Sequence, residues 1–155
     1  MDKTLRKRLI SDKIKITKLA LDKILSYFDV FSYEMGGALG IKDGVITMFY
    51  PLENEDELGG CFIPSLDSLN SANDYFANHD VDFGGIIHSH PVSKFGSGQN
   101  RPSNKDIDFY RNFINANKQF DKLIFPIITL VNDEKVINWF IFENDELFEL
   151  EIEII

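Results

Sequence analysis

Two histidines separated by a single residue, His88 and His90, follow an apolar stretch of this 155-residue chain. Alternate residues of a β-strand face the same side and lie about 7 Å apart along it, so both imidazoles can converge on one metal ion from a strand end. The same H-x-H pattern is also typical of two polar residues that end a strand beside a proline, here Pro91. A metal site therefore requires further ligands from other parts of the chain.

Two carboxylates could complete such a site. Asp106 follows Ser103 by three residues at a predicted helix start, and a carboxylate is a suitable zinc ligand beside two imidazoles. The same spacing is typical of a helix cap, in which the serine and the acidic side chain bind the first N–H groups. Glu34 opens a glycine-rich segment, and a carboxylate near an open coordination position can accept the proton of a water molecule. The sequence thus offers His88, His90 and Asp106 as ligands, with Glu34 as a base.

Hydrophobic periodicity indicates which elements must position these residues. The pattern predicts helices over 18–28, from Ser65 or Asp67 to His79, and from Ser103 to Phe120. It predicts strands over 14–16, 35–41, 45–50, 81–88, 123–131, 135–142 and 147–155. Glycines within 35–41 indicate close approach of the backbone to a neighbour. Hairpins with interspersed helices predict a three-layer α/β fold, with a central mixed, largely antiparallel sheet flanked by helices.

Length and composition limit the function classes. We expect one compact domain over residues 1–155, since 44% hydrophobic content is enough for one buried core. The first 23 residues carry eight Lys/Arg against three Asp/Glu, and the remainder carries eight against 22. An acidic body repels phosphate backbones, so we expect no nucleic-acid partner, whereas a basic or mixed protein partner would be attracted. We expect no signal peptide and no membrane-spanning segment. The sequence indicates no oligomeric state.

The only cysteine, Cys61, restricts the chemistry further. One cysteine can build neither a disulfide framework nor a thiolate zinc cluster within the chain, so we expect a reducing compartment, the cytoplasm. Zinc nucleobase deaminases need two cysteines and are excluded. A thiol peptidase would use Cys61 as its nucleophile, but Cys61 lies beside residues predicted to form a strand, which favours a small buried or partly buried apolar role.

The order of the candidate site residues resembles the JAMM signature, E … H-[ST]-H-P … S-x-x-D, of zinc isopeptidases and deubiquitinases. The matching positions are Glu34, then His88-Ser89-His90-Pro91, then Ser103-Asn104-Lys105-Asp106. The segment Glu34-Met-Gly-Gly-Ala-Leu-Gly40 is also similar to the E-x-x-G-x-L-x-G segment of that family. One departure is the separation of His90 from Ser103 by twelve residues, which exceeds the common family spacing.

The resemblance implies the MPN/JAMM fold, which is cytidine-deaminase-like, and one zinc ion held by His88, His90 and Asp106. It also implies that Glu34 is the general base and that Ser103 stabilises the oxyanion. The implied reaction is cleavage after the C-terminal tail of a ubiquitin-like protein by an enzyme of the prokaryotic single-domain type. We expect the long loop over 92–101 to border the metal cleft. Two alternatives stay open: a metal-free MPN-type scaffold, and a metallopeptidase for ordinary peptides.

Overall fold

A computed structural model describes residues 13–92, 99–120 and 122–155 in full, and the backbone of residues 5–7. These parts of the chain contain three helices and nine strands, in the order β1 (Leu5–Lys7), β2 (Ile14–Ile16), α1 (Lys18–Tyr27), β3 (Gly36–Lys42), β4 (Val45–Leu52), α2 (Leu66–Asn78), β5 (Asp82–Ser89), α3 (Asn104–Ala116), β6 (Ile127–Val131), β7 (Glu134–Glu143), β8 (Glu146–Leu150) and β9 (Ile152–Ile154). Among the described residues, no helix combines the length and the apolar character needed to cross a bilayer.

The strands form one mixed sheet in the order β1-β8-β7-β6-β5-β3-β4-β2-β9. Its longest pairings are antiparallel: β3 pairs with β4 and β5, and β7 pairs with β6 and β8. The other pairings are parallel: β1 pairs with β8, β2 pairs with β4 and β9, and β5 pairs with β6. Only Glu151 separates β8, next to one end of this order, from β9 at the other end, so the sheet curls back on itself.

Helices cover both faces of the sheet. On one face, Ala20, Ile24 and Phe28 of the α1 region pack in a buried cluster with sheet residues such as Ile87 and Ile128. On the other face, a second cluster joins residues of α2 and α3 to the sheet, among them Ala72, Phe76, Tyr110, Phe125 and Ile127. This arrangement confirms the predicted three-layer α/β fold with a central mixed sheet.

Each helix begins at a hydroxyl side chain that accepts a hydrogen bond from the first turn. Thr17 accepts from the backbone N–H of Ala20 and Ser65 from that of Ser68, both at 3.1 Å. Ser65 rather than Asp67 is therefore the cap of α2. Such a cap satisfies one of the N–H groups that a helix start leaves without an intrahelical partner.

Three predicted elements are too long. The helix predicted to reach Phe120 ends at Ala116, because the Asn117 amide donates to the Phe113 carbonyl at 2.9 Å and competes with the helical bonds. The strand predicted from residue 123 begins at Ile127, since Pro126 has no N–H to contribute to the ladder. The last predicted strand is broken at Glu151 into β8 and β9.

Candidate metal centre

The two histidines lie at the end of β5 and are tied to the start of β3. His88 pairs across the sheet with Gly36, which is the second residue after Glu34. Ser89 points to the opposite face and is fully buried, and its Oγ accepts from the N–H of Met35 at 2.9 Å. The N–H of Ser89 donates in turn to the Met35 carbonyl at 2.9 Å. The serine between the histidines therefore holds the segment of Glu34 beside them.

Ligand-type atoms of four residues converge on one point. One donor atom each from Glu34, His88, His90 and Asp106 lies within 4.8 Å of the others. The two Nε2 atoms of His88 and His90 are 3.1 Å apart. Nε2 of His88 lies 3.3 Å from Oδ1 of Asp106, and Nε2 of His90 lies 3.0 Å from Oδ2 of the same carboxylate. All four residues are at most 9% exposed, so the cluster is largely buried.

These atoms lie close enough to share one metal ion. The two Nε2 atoms are 3.1 Å apart and lie 3.3 Å and 3.0 Å from the two different oxygens of Asp106, separations that ligands about 2 Å from a zinc ion can span. Nδ1 of His90 donates to the Gln99 carbonyl at 2.6 Å, which directs Nε2 towards the cluster as the atom that can ligate. This buried group of residues could therefore bind a metal ion.

Glu34 differs from the other three residues because one of its oxygens has no partner. Its Oε1 is buried, makes no hydrogen bond, and lies 3.9 Å from Nε2 of His88. Its backbone is fixed on both sides, since its N–H donates to the Gly59 carbonyl at 2.9 Å and its carbonyl accepts from the Asn54 amide at 3.1 Å. Burial raises the pKa of the Glu34 carboxyl, although the nearby imidazoles act to lower it.

Asp106 both completes the capping box of α3, whose N-cap is Ser103, and provides the carboxylate that faces the two imidazoles. Its N–H donates to Oγ of Ser103 at 3.1 Å, while its Oδ2 accepts from the N–H of Ser103 at 2.9 Å. Burial acts to raise the pKa of Asp106, but hydrogen bonds from His88, His90 and Ser103 hold it well below its usual range. In this one geometry, Asp106 can therefore both take part in the helix cap and act as a metal ligand.

The carboxylate of Asp106 also affects the pKa of His90. Burial acts to lower the pKa of its imidazole, but the hydrogen bond to Asp106 and the bond to the Gln99 carbonyl raise it overall. In the metal-free protein, Asp106 thus favours a proton on Nε2 of His90, at the position where a metal ion would replace it.

The loop over 53–64, which precedes α2, supports Glu34. Oδ1 of Asn54 accepts from the N–H groups of Asp56 and Ile63, both at 3.0 Å. Oδ2 of Asp56 accepts from the N–H of Cys61 at 3.0 Å and contacts its Sγ at 3.3 Å. The predicted partial burial of Cys61 is confirmed, but the predicted strand and apolar role are wrong, because its thiol lies in this loop beside a carboxylate. Burial and Asp56 raise the pKa of that thiol.

Phe62, near the end of this loop, packs against His88 of the metal cluster. Its ring is parallel to the His88 imidazole, with an interplanar angle of 10° and centroids 6.2 Å apart. A Cβ atom at Gly36 would overlap the Phe62 ring, so a glycine is required where the ring crosses β3. The predicted close approach at these glycines is therefore confirmed.

Four of the five predicted site residues form the cluster, and Ser103 adjoins it through Asp106. Residues 93–98 of the predicted cleft-bordering loop lie outside the described residues. The sequence interpretation missed Ser89, Asn54 and Asp56. Strand alternation places Ser89 opposite the histidines and could have revealed it, whereas no periodicity marks Asn54 or Asp56.

Comparison with solved structures supports the fold. The solution structure of a protein from Desulfitobacterium hafniense is 26% identical, aligns over 92% of both chains and has a TM-score of 0.71. The crystal structure of a JAB1/MPN domain protein from Archaeoglobus fulgidus is 18% identical, covers 94% of this chain and 100% of that chain, and has a TM-score of 0.55. At that identity the second likeness is one of fold, and it agrees with the MPN fold expected from the sequence. No family model and no curated protein matches the sequence.

Proposed function

We propose that this chain is a zinc-dependent hydrolase that cleaves an amide or isopeptide bond. The observation that carries the proposal is the convergence of two imidazoles and two carboxylates within 4.8 Å, with Oε1 of Glu34 buried and unpartnered. A purely structural ion cluster has no use for such an oxygen, because an unsatisfied buried acceptor costs free energy. A base that accepts a proton from an attacking water does require one.

His88, His90 and Asp106 would hold the zinc ion, since two imidazoles and one carboxylate are a known ligand set of catalytic zinc sites. The chemistry that a bound zinc ion supplies is polarisation of the scissile carbonyl and a lower pKa for the attacking water. The Gln99 carbonyl and the N–H of Ser103 orient two of these ligands from the outer shell.

Glu34 carries the proton in this mechanism. It accepts the proton of the attacking water at its carboxylate and delivers it to the leaving amine, which for an isopeptide is a lysine amine. Because burial raises the pKa of Glu34, its carboxylate is a stronger base towards the attacking water than an exposed glutamate would be. The bonds from Gly59 and Asn54 to its backbone keep the carboxylate beside the cluster during both steps.

Ser103 would stabilise the oxyanion of the tetrahedral intermediate. Its Oγ accepts from the N–H of Asp106, and this bond leaves the O–H proton available for donation into the cleft. A hydroxyl held by a helix start is pre-oriented, so donation to the developing charge needs little rearrangement.

The substrate that we propose is a ubiquitin-like protein or its conjugate, cleaved after its C-terminal tail. Support comes from the resemblance of the five site residues to the JAMM signature of isopeptidases and deubiquitinases. The net charge of −9 adds a general argument, because an acidic body attracts basic or mixed protein partners at long range.

Zinc content and substrate preference test the proposal. Purified protein dialysed against zinc should hold one equivalent, His88→Ala should lose it, and His79→Ala, at the exposed end of α2, should retain it. Zinc-loaded protein should cleave a fusion that follows a ubiquitin-like tail with a higher kcat/KM than a short peptide amide. Absence of stoichiometric zinc would instead favour the metal-free scaffold, and equal kcat/KM for both substrates would favour a general metallopeptidase.

A further inference from the structure

The two histidines of the candidate metal centre are held in different ways. Nδ1 of His90 donates to the Gln99 carbonyl, the kind of outer-shell hydrogen bond that orients most imidazole ligands. Among the described residues, the hydrogen-bond contacts of the His88 ring are all made by Nε2, the atom that faces the cluster. The orientation of His88 therefore depends on the packing of its ring.

Phe62 provides the aromatic surface against which the His88 ring packs. The two rings are nearly parallel, at 10°, and their centroids are 6.2 Å apart, which is within the range of offset stacking. Gly36 lies opposite His88 in the pairing of β3 with β5, and opposed residues of antiparallel strands point their side chains to the same face. A Cβ added at Gly36 would lie 2.3 Å from the nearest atom of the Phe62 ring. The ring thus occupies the space that a side chain opposite His88 would fill.

The Asn54 amide fixes the backbone on both sides of Phe62. Its Nδ2 donates to the Cys61 carbonyl at 2.9 Å, and its Oδ1 accepts from the N–H of Ile63 at 3.0 Å. The same Nδ2 donates to the Glu34 carbonyl at 3.1 Å. One amide therefore links the aromatic ring beside the candidate metal ligand to the segment that carries the candidate base.

We propose that Phe62 is a positioning residue for the metal ligand His88, with its ring held in place by Asn54. Packing against the Phe62 ring limits rotation of the His88 side chain and keeps Nε2 directed at the cluster, the role that the Gln99 carbonyl has for His90. A ligand that is already oriented loses less conformational entropy when it binds a metal ion, so the affinity is higher. The gain in zinc affinity rests on the proposed function, whereas the restraint on His88 in the metal-free protein does not.

NMR of the metal-free protein measures the restraint without any metal or substrate. Three-bond couplings of labelled histidines should report a single χ1 rotamer for both His88 and His90 in the wild type. In Phe62→Leu, the couplings of His88 should average over several rotamers, while those of His90, which keeps its bond to Gln99, should not. Phe83→Leu is the matched control, because Phe83 is similarly buried in the same core cluster but packs against three other phenylalanine rings. It should leave the His88 couplings unchanged.

Zinc affinity is the second readout. Competition with a chromophoric chelator should show that Phe62→Leu binds zinc about 10- to 100-fold more weakly than the wild type, as expected when an outer-shell partner is lost, and that Phe83→Leu binds it as tightly. Asn54→Ala keeps the Phe62 ring but frees its backbone, so zinc binding should weaken in the same direction. Because Asn54 acts through Phe62, the effects of Asn54→Ala and Phe62→Leu on zinc affinity should not add.

A single His88 rotamer in Phe62→Leu, or equal zinc affinities of Phe62→Leu and Phe83→Leu, would overturn the proposal. If Phe62→Leu does not fold, Asn54→Ala decides, and unchanged His88 couplings and zinc affinity in that variant would overturn the proposal equally. A wild type that binds no zinc, or that binds zinc and hydrolyses nothing, would count against the proposed function alone, because the His88 couplings would still decide the role of Phe62.

Discussion

Asp106 and Ser103 exchange two hydrogen bonds across the first turn of α3, and the same Asp106 carboxylate lies 3.3 Å and 3.0 Å from the two imidazoles. The helix start and the candidate metal centre are thus built from one side chain. Substitution of Asp106 by asparagine separates the two roles, because an amide oxygen can still accept from Ser103 but carries no charge for a cation.

We expect Asp106→Asn to keep the fold and lose stoichiometric zinc. Circular dichroism would check the fold, and elemental analysis after dialysis would check the metal. Asp108→Asn is the matched control, since Asp108 lies on the exposed side of the same helix and pairs with Arg111 at 3.0 Å. Asp106→Asn protein with a full equivalent of tightly held zinc would remove Asp106 from the ligand set.

Ser103→Ala should affect stability and catalysis together. Loss of an N-cap lowers the free energy of unfolding by about 1 kcal/mol, and loss of an oxyanion donor lowers kcat by about 10²- to 10³-fold. Denaturant titration and steady-state kinetics would measure the two effects. Ser65→Ala, which removes the cap of α2 away from the cluster, should reproduce only the first. A Ser103→Ala enzyme with full kcat would limit Ser103 to its capping role.

Ser89→Ala tests the link between β5 and the segment of Glu34. The substitution leaves the N–H of Met35 without its acceptor, which should lower the free energy of unfolding by about 1–3 kcal/mol. The activity should fall as well, because the position of Glu34 depends on that segment, whereas zinc content should be retained. Ser26→Ala, at an exposed position of α1, should change neither stability nor activity. Unchanged stability and kcat in Ser89→Ala would show that the hydrogen bond from Met35 to Ser89 is not needed to position Glu34.

Metal binding should release a proton in the pH range where His90 titrates. Asp106 raises the pKa of His90 above its ordinary value of about 6.5. The protonated imidazole therefore stabilises the metal-free fold below that value, and this contribution disappears as pH rises through the raised pKa. Zinc requires the unprotonated Nε2, so its affinity should increase over the same range. Calorimetric titrations in buffers of different ionisation enthalpy would detect the proton, and a heat of binding independent of the buffer would contradict the prediction.

Hydrophobic periodicity predicted the fold, and the resemblance to the JAMM signature selected the four residues that the structure brings together. The apolar run before His88 and the serine before Asp106 are strand and cap signals that tertiary contacts reinforce. The loop over 53–64 could not be predicted, because Asn54 and Asp56 act through hydrogen bonds to backbone groups whose positions only the fold defines.

The central claim is that Glu34 serves as the base of a zinc hydrolase, and turnover of Glu34→Gln at matched zinc content tests it most directly. Wild type and variant would be loaded to one zinc per chain and assayed on the same ubiquitin-like fusion. Glutamine keeps the size of the side chain but cannot accept the water proton, so kcat should fall by about 10²- to 10⁴-fold while zinc content and Tm stay close to those of the wild type. A Glu34→Gln enzyme that holds zinc and turns over at the wild-type rate would contradict the account.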